Sequence, residues 1–255
     1  MNDFAVADTE PPYSDAAMDQ VAPSGGDAAH GRSHWLFGHQ RLDLPRTRRL
    51  DTLELRANLP GQEGRSGMSD GDNGRPPAKR RLAWALTGSG HDFVECLDLM
   101  RRLGEMDVFL SKAAAEVIFL YTKDRAPFPD TIRLIRDTSA SAAPVGRFYH
   151  GWYHTLVMAP TTSNTVAKCV AGISDTLVTN VFAQAGKCRV PVIVYACDTR
   201  PVHDTMAPGG MVRLWPRRID LDNTDRLRSF EATTVVEDMN ELERVVAGRL
   251  AETAG

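Results

Sequence analysis

The chain has 255 residues, 42% of them hydrophobic, and a formal net charge of -3, which permits one α/β domain with further residues beside it. The nearly balanced charge gives no reason to expect a nucleic-acid partner, and no apolar run is long enough to span a membrane. The four cysteines form no Cys-x-x-Cys pair, so they indicate neither a metal site nor a disulfide framework but reduced thiols in a cytoplasmic protein.

Residues 1–79 are rich in Pro, Gly, Asp, Ser and Arg and sustain no apolar period. This composition predicts a low-complexity, disordered extension, because too little apolar surface is present to offset the loss of chain entropy. An apolar stretch at residues 34–59 leaves open a strand or helix that docks on a partner, and Met68 is a candidate translation start. We place the folded domain at residues 80–255.

From residue 81 onward, apolar strands alternate with amphipathic segments, a pattern typical of parallel βαβ units. The predicted strands are 82–86, 106–110, 155–158 and 190–196, and we expect the last of these near the centre of the sheet. The predicted helices are 91–103, 113–121, 163–185 with a break near Gly172, and 239–249. Residues 131–138 form a polar, helix-compatible stretch, and residues 218–221 and 233–236 complete the domain. The right-handed rule for parallel crossovers then gives a three-layer α/β/α sandwich with a parallel, flavodoxin-like (Rossmann-like) sheet.

Small polar residues follow two of the predicted strands. They are Thr87, Gly88, Ser89 and Gly90 after the first strand, and Pro160, Thr161, Thr162, Ser163, Asn164 and Thr165 after the strand at 155–158. Hydroxyl groups and the backbone N–H groups at a helix start bind phosphate, and the Asn164 amide, which donates and accepts, suits the pyrimidine edge of an isoalloxazine ring. Because the carboxyl ends of parallel strands share one crevice, the two loops together predict an FMN site.

Four other polar residues are candidates for the same pocket. Ser111 ends the second strand, although a hydroxyl there is equally suited to cap the helix that follows. Thr179, Asn180 and Asp198 lie at later strand or helix ends, where a structural role is the alternative. No Asp, Glu or His is singled out by its spacing as the catalytic acid.

Taken together, these motifs resemble the homo-oligomeric flavin-containing cysteine decarboxylase superfamily. The resemblance runs from residue 81 to the carboxyl end. It includes the loop at 87–90, the run 159–168, the segment 172–180, the strand residues 190–194 with Cys197 and Asp198, and the Met-containing loop at 201–216. Thr162 departs from the pattern, since the superfamily commonly has Ala there.

One position separates the branches of this superfamily. Gly146 stands where its decarboxylases carry their catalytic histidine, and His150 and His154 are out of register with that position. A decarboxylase that lacks its proton-handling group is disfavoured. The segments 146–151 and 174–180 resemble instead the archaeoflavoprotein and flavin-dependent dihydromethanopterin reductase branch.

This branch implies an FMN-dependent oxidoreductase that reduces dihydromethanopterin to tetrahydromethanopterin in one-carbon metabolism. It also implies a substrate clamp in the loop at 199–216, with Met206, Met211 and Trp215 against the pterin ring, and a homo-oligomer built as a trimer or a multiple of trimers. A ferredoxin-like protein or a flavin reductase is the implied electron donor. The alternatives are an electron-transfer flavoprotein that docks a ferredoxin-like partner and a flavin-dependent decarboxylase.

Overall fold

The computed structural model describes residues 76–122, 128–138, 142–207 and 210–254. The predictions for residues 1–75, among them the apolar stretch at 34–59 and Met68, lie outside the described residues. The strands are β1 (Arg81–Leu86), β2 (Met106–Leu110), β3 (Ile132–Arg136), β4 (Tyr153–Thr161), β5 (Val192–Ala196), β6 (His203–Ala207), β7 (Gly210–Leu214) and β8 (Thr233–Val236). The helices are α1 (Phe93–Leu103), α2 (Lys112–Thr122), α3 (Ala142–Val145), α4 (Ser163–Val170), α5 (Leu177–Lys187), α6 (Arg218–Arg228) and α7 (Met239–Ala254).

Six of the strands form one parallel sheet in the order β3-β2-β1-β4-β5-β8. This is the order of a Rossmann-type sheet, in which the direction of winding reverses between β1 and β4. The parallel α/β sheet predicted from the sequence is therefore confirmed. One expectation about it is wrong: β5 is not central, because it lies next to the edge strand β8, and β1 and β4 occupy the middle of the sheet.

Helices cover both faces of the sheet. Residues 82–86 of β1 are all buried, because side chains that point alternately to the two faces meet helices on either side. On one face, Trp84 belongs to an apolar cluster that includes Phe93 of α1. On the other face, Met158 of β4 belongs to a cluster that includes Val181 of α5. Two separate apolar clusters, one on each side of a single sheet, confirm the three-layer α/β/α sandwich.

Two segments differ from the sequence-based expectation. Residues 131–138 contain the strand β3 instead of a helix-compatible stretch. This strand lies at the sheet edge next to β2, and it is held by the buried side chain of Ile132 and by Arg133, which binds the Asp107 carboxylate. Such contacts are distant in sequence, so the local pattern does not reveal them. The loop predicted at 199–216 contains the antiparallel β6–β7 hairpin, in which Thr205 lies opposite Val212.

Local signals account for the division between α4 and α5. Gly172 has a φ of 72°, in the left-handed region that favours glycine, and it follows Ala171, the C-cap residue of α4. Thr176 and Thr179 then form a reciprocal capping box that starts α5. The break predicted near Gly172 is confirmed. Within the described ranges, no helix is both long enough and apolar enough to cross a bilayer.

Candidate functional site

A cleft opens at the carboxyl ends of β1, β2, β3 and β4. Its volume of about 520 Å³ lies within the range of small-molecule sites. It lies where the winding of the sheet reverses, which is the place where open parallel sheets bind ligands. The structure brings both predicted loops to this cleft, since the residues that line it include Thr87, Gly88, Ser111, Thr162, Asn164 and Thr165.

Hydrogen bonds join the two predicted loops to each other. The hydroxyl of Thr87, at the end of β1, donates to the carbonyl oxygen of Pro160 at 2.7 Å and accepts from the Thr162 N–H at 3.0 Å. The Thr87 N–H also donates to the Pro160 carbonyl, at 3.4 Å. Thr87 is 1% exposed, so its hydroxyl fixes the spacing of the loops rather than remaining available for a ligand.

The first turn of α4 contributes backbone donors to the cleft. Thr162 is the N-cap, and its hydroxyl accepts from the Thr165 N–H at 3.3 Å. The Val166 N–H makes the first backbone bond of the helix, to the Thr162 carbonyl, so the N–H groups of Ser163 and Asn164 have no intrahelical acceptor. The helix dipole adds partial positive charge at the same place, which favours a phosphate or a carbonyl edge.

The loop after β1 packs directly against the first turn of α2 at the cleft. A Cβ atom on Gly88 would lie 2.6 Å from the Cβ of Ala113, so only glycine permits this approach. Ser111 caps α2, because its hydroxyl accepts from the Ala114 N–H at 3.0 Å. A hydroxyl that accepts one bond retains its own hydrogen for donation, so capping does not prevent Ser111 from donating to a ligand.

The cleft carries charges of both signs. Lys168 Nζ lies 2.9 Å and 2.7 Å from the two carboxylate oxygens of Asp175, and the hydrogen bond from Lys168 lowers the pKa of that carboxyl. Lys112 and Asp137 line the cleft at the ends of β2 and β3. A single anionic group near α4 or Lys112 is favoured, whereas the two carboxylates disfavour a ligand with many negative charges.

Three predicted site residues are engaged elsewhere in the fold. Thr161 lies within β4 and is fully buried, and its hydroxyl donates to the Met158 carbonyl at 2.8 Å. Thr179 is 2% exposed and belongs to the α5 capping box. Asn180 follows it in α5, where its N–H donates to the Thr176 carbonyl. Thr161 and Thr179 are not among the residues that line the cleft, and their hydroxyls make local hydrogen bonds within the fold.

Two other predicted residues lie at the ends of β1 and β5, beside the hairpin. Ser89 accepts from the His91 N–H at 3.1 Å and from the Cys197 thiol at 3.0 Å. Burial raises the pKa of the Cys197 thiol to about 12, so the thiol stays protonated and donates. Asp198 Oδ1 lies 3.8 Å from Nε2 of His203 in β6. These side chains connect the main sheet to the hairpin rather than lining the cleft.

The predicted substrate residues lie on and just beyond the hairpin. Met206 in β6 is opposite Met211 in β7, and Trp215 follows β7. All three side chains are exposed. A Cβ atom on Gly90 would lie 2.5 Å from the Met206 carbonyl oxygen, so the hairpin backbone rests directly on the loop after β1.

Several residues that line the cleft were not predicted from the sequence, namely Ala113, Asp137, Thr138, Lys168, Asp175, Thr176 and Val178. Asp137 and Thr138 directly follow β3, so a strand prediction at 132–136 would have placed them at the binding edge by the rule that identified Thr87. Lys168 lies on α4 and Asp175 lies between α4 and α5, where no strand end marks them.

Comparison with known proteins agrees with this geometry. The sequence matches the model of the flavoprotein family over residues 71–253. The chain belongs to the flavoprotein family. This assignment confirms the family resemblance carried by the motifs and the prediction of a flavin cofactor.

The relatives of this flavoprotein include an uncharacterised protein of Methanocaldococcus jannaschii, 33% identical over 65% of this chain and 94% of the relative. Two dihydromethanopterin reductases (acceptor) are also similar. The one from Methanosarcina mazei is 34% identical over 47% of this chain, and the one from M. jannaschii is 35% identical over 46%. This flavoprotein matches about half of each reductase, 55% and 53% of their lengths.

A solved structure similar to this flavoprotein is DmrB of Burkholderia xenovorans in complex with FMN, described as a cubic protein cage for redox transfer. The two are 49% identical and superimpose with a TM-score of 0.63, over 70% of this chain and 99% of DmrB. The apo form of DmrB gives a TM-score of 0.62.

Proposed function

We propose that this flavoprotein binds FMN in the cleft and reduces a dihydropterin, with dihydromethanopterin as the substrate that the family resemblance implies. The observation that carries the proposal is the convergence of the loops after β1, β2 and β4 on one cleft of about 520 Å³. Further support comes from the flavoprotein family, from the FMN bound to DmrB, and from the two similar dihydromethanopterin reductases.

The donors in the cleft suit FMN. The N–H groups of Ser163 and Asn164, the Asn164 amide and the Ser111 hydroxyl would hold the phosphate and the polar edge of the ring, and Gly88 allows the loops to approach closely. When bound, the flavin supplies hydride or electron transfer to the substrate. The chain itself binds and orients the two ring systems and excludes water.

The exposed apolar side chains after β5 are suited to contact a flat substrate or another copy of the chain. Met206, Met211 and Trp215 are 47%, 62% and 69% exposed, and such a group of apolar side chains is unusual on a monomer. Thioether and indole groups pack well on a flat heteroaromatic ring. We place the pterin against this hairpin, and we propose that the protein is a homo-oligomer built from trimers. We also propose that a ferredoxin-like protein or a flavin reductase supplies its electrons, and that the enzyme acts in one-carbon metabolism.

The reductase proposal is tested with the isolated protein. We expect the purified protein to be yellow, to release FMN on denaturation and, after photoreduction without oxygen, to be reoxidised faster by dihydromethanopterin than in its absence, with formation of tetrahydromethanopterin. Protein that takes up no FMN would exclude a flavin site in the cleft. Bound FMN that is reoxidised by a ferredoxin-like protein but not by the pterin would instead support the electron-transfer alternative.

Replacement of Asn164 with alanine is expected to weaken FMN binding by about 1–3 kcal/mol, roughly 5- to 150-fold in Kd, because one amide contact to the polar ring edge is lost. Titration of apoprotein with FMN, followed by flavin fluorescence, measures the change. Asn240→Ala is the matched control, since Asn240 is exposed on α7. Equal affinities of the two variants would show that the ring edge does not contact Asn164.

A further inference from the structure

The loop after β1 holds the β6–β7 hairpin as well as lining the cleft. His91 Nδ1 lies 3.1 Å from the Thr205 hydroxyl in β6, and the rings of His91 and His203 lie 5.1 Å apart. A Cβ atom on Gly90 would be 2.5 Å from the Met206 carbonyl oxygen and 2.9 Å from the Tyr121 hydroxyl. Two successive residues of one loop therefore contact the hairpin. His91 binds it through its side chain, and Gly90 allows the hairpin backbone to approach closely because it has no side chain.

Two further side chains fix the orientation of His91. The Tyr195 hydroxyl donates to Oδ2 of Asp92 and lies 3.0 Å from His91 Nε2. Because Tyr195 has a single hydrogen to donate, its oxygen accepts from the His91 Nε2–H, and the free lone pair of Nδ1 accepts from the Thr205 hydroxyl. Burial lowers the pKa of His91, which keeps the ring in this neutral form.

This arrangement leaves the start of helix α1 without a side-chain cap. Asp92 is the N-cap residue of α1, yet its side chain makes no capping hydrogen bond, and its φ of 45° is left-handed. Aspartate is among the best N-caps, and a left-handed backbone is unfavourable for a residue other than glycine. The carboxylate that could satisfy the helix start is used to hold Tyr195, and through it His91.

The cleft and the hairpin are thus joined by six consecutive residues. Thr87 and Gly88 line the cleft, Ser89 accepts from the His91 N–H, Gly90 and His91 contact the hairpin, and Asp92 anchors Tyr195. The position of the hairpin relative to the cleft is consequently set by this loop.

We propose that Gly90 and His91 are positioning residues that hold the hairpin beside the flavin cleft, so that Met206, Met211 and Trp215 are correctly placed for the pterin. The inference rests on the proposed function, since it assigns these two residues a role in pterin affinity. It predicts that disturbing either one displaces the hairpin and weakens pterin binding while the affinity for FMN, held by α4 and Ser111, is retained.

The experiment compares His91→Ala and Gly90→Ala with Gly248→Ala, whose added methyl group has no atom within 4 Å and lies on an exposed part of α7. We expect trypsin cleavage after Arg213, an exposed β7 residue, to become about 10-fold faster in the first two variants, because a detached hairpin opens more often. The KM for dihydromethanopterin should rise about 10-fold with a smaller change in kcat. The Kd for FMN should stay within about twofold of wild type.

His91→Asn separates positioning from simple packing. Its amide retains an acceptor for the Thr205 hydroxyl, so both the cleavage rate and the KM should return to within about threefold of wild type. Unchanged cleavage and KM in His91→Ala and Gly90→Ala, or a Kd for FMN that rises in parallel with KM, would overturn the inference. If wild-type protein binds FMN but does not turn over the pterin, the reductase proposal fails, and cleavage at Arg213 alone still decides whether these residues hold the hairpin.

Discussion

Replacement of Asp107 with alanine is expected to lower the free energy of unfolding by about 3–5 kcal/mol, which corresponds to a decrease of roughly 10 °C in Tm. Asp107 is fully buried in β2, where Oδ1 accepts from Arg81 Nε at 2.9 Å and from Arg133 Nε at 3.2 Å. Oδ2 accepts from the Tyr153 hydroxyl at 2.7 Å and lies 3.5 Å from Arg147. The truncation leaves partly buried cations without their common carboxylate.

Thermal unfolding followed by circular dichroism measures this loss. Asp222→Ala removes an exposed ion pair with Arg218 on α6 and is expected to change Tm by at most about 2 °C. Tyr153→Phe, which removes one donor to the same buried carboxylate, should lie between the two. Similar Tm values for the Asp107 and Asp222 variants would show that the buried carboxylate does not hold β1, β2 and β3 together.

The Asp107 carboxylate also explains which parts of the sheet could not be predicted from the sequence. β2 matches its predicted bounds, and β1 differs by the single residue Arg81, because largely apolar runs between polar residues mark strands that are buried on both faces. Arg81 joins β1 through a side chain that binds Asp107, 26 residues away. The edge strand β3 was not predicted for a related reason. Its polar residue Arg133 also binds Asp107, and a polar side chain in the sequence does not show that it makes such a contact. Tertiary ion pairs of this kind leave no local pattern.

The strand-end rule found the place of the candidate site but not the function of each hydroxyl. Thr87, Thr161 and Thr179 carry a hydroxyl near the end of a strand or helix, as Ser111 does, yet their hydroxyls bind backbone groups within the fold. Threonine bonds to nearby backbone and to ligands with the same group, so residue type cannot separate the two uses. The contact of His91 with Tyr195 joins segments 104 residues apart, and no sequence spacing indicates it.

Replacement of Gly88 with alanine is expected to weaken FMN binding about 5- to 150-fold, because overpacking costs about 1–3 kcal/mol and about 1.4 kcal/mol is tenfold in Kd. The new methyl group would lie 2.6 Å from the Ala113 Cβ and 2.9 Å from the Ala113 carbonyl carbon. The backbone at the start of α2 cannot move easily to make room for the methyl group, so the loops after β1 and β2 must separate. Thr87, which bonds to Pro160, and Ser111 then lose their spacing.

Fluorescence titration of apoprotein with FMN tests this effect, and the Tm of the apoprotein shows whether the fold is retained. Gly186→Ala serves as the control, since its methyl group has no atom within 4 Å and it lies in α5 away from the cleft. Ala113→Gly added to Gly88→Ala removes the shorter of the two contacts and should restore part of the affinity, a coupling that two independent sites would not show. Wild-type affinity in Gly88→Ala would mean that FMN is not bound between these two loops, because a ligand held there by fixed donors must respond when the donors move apart.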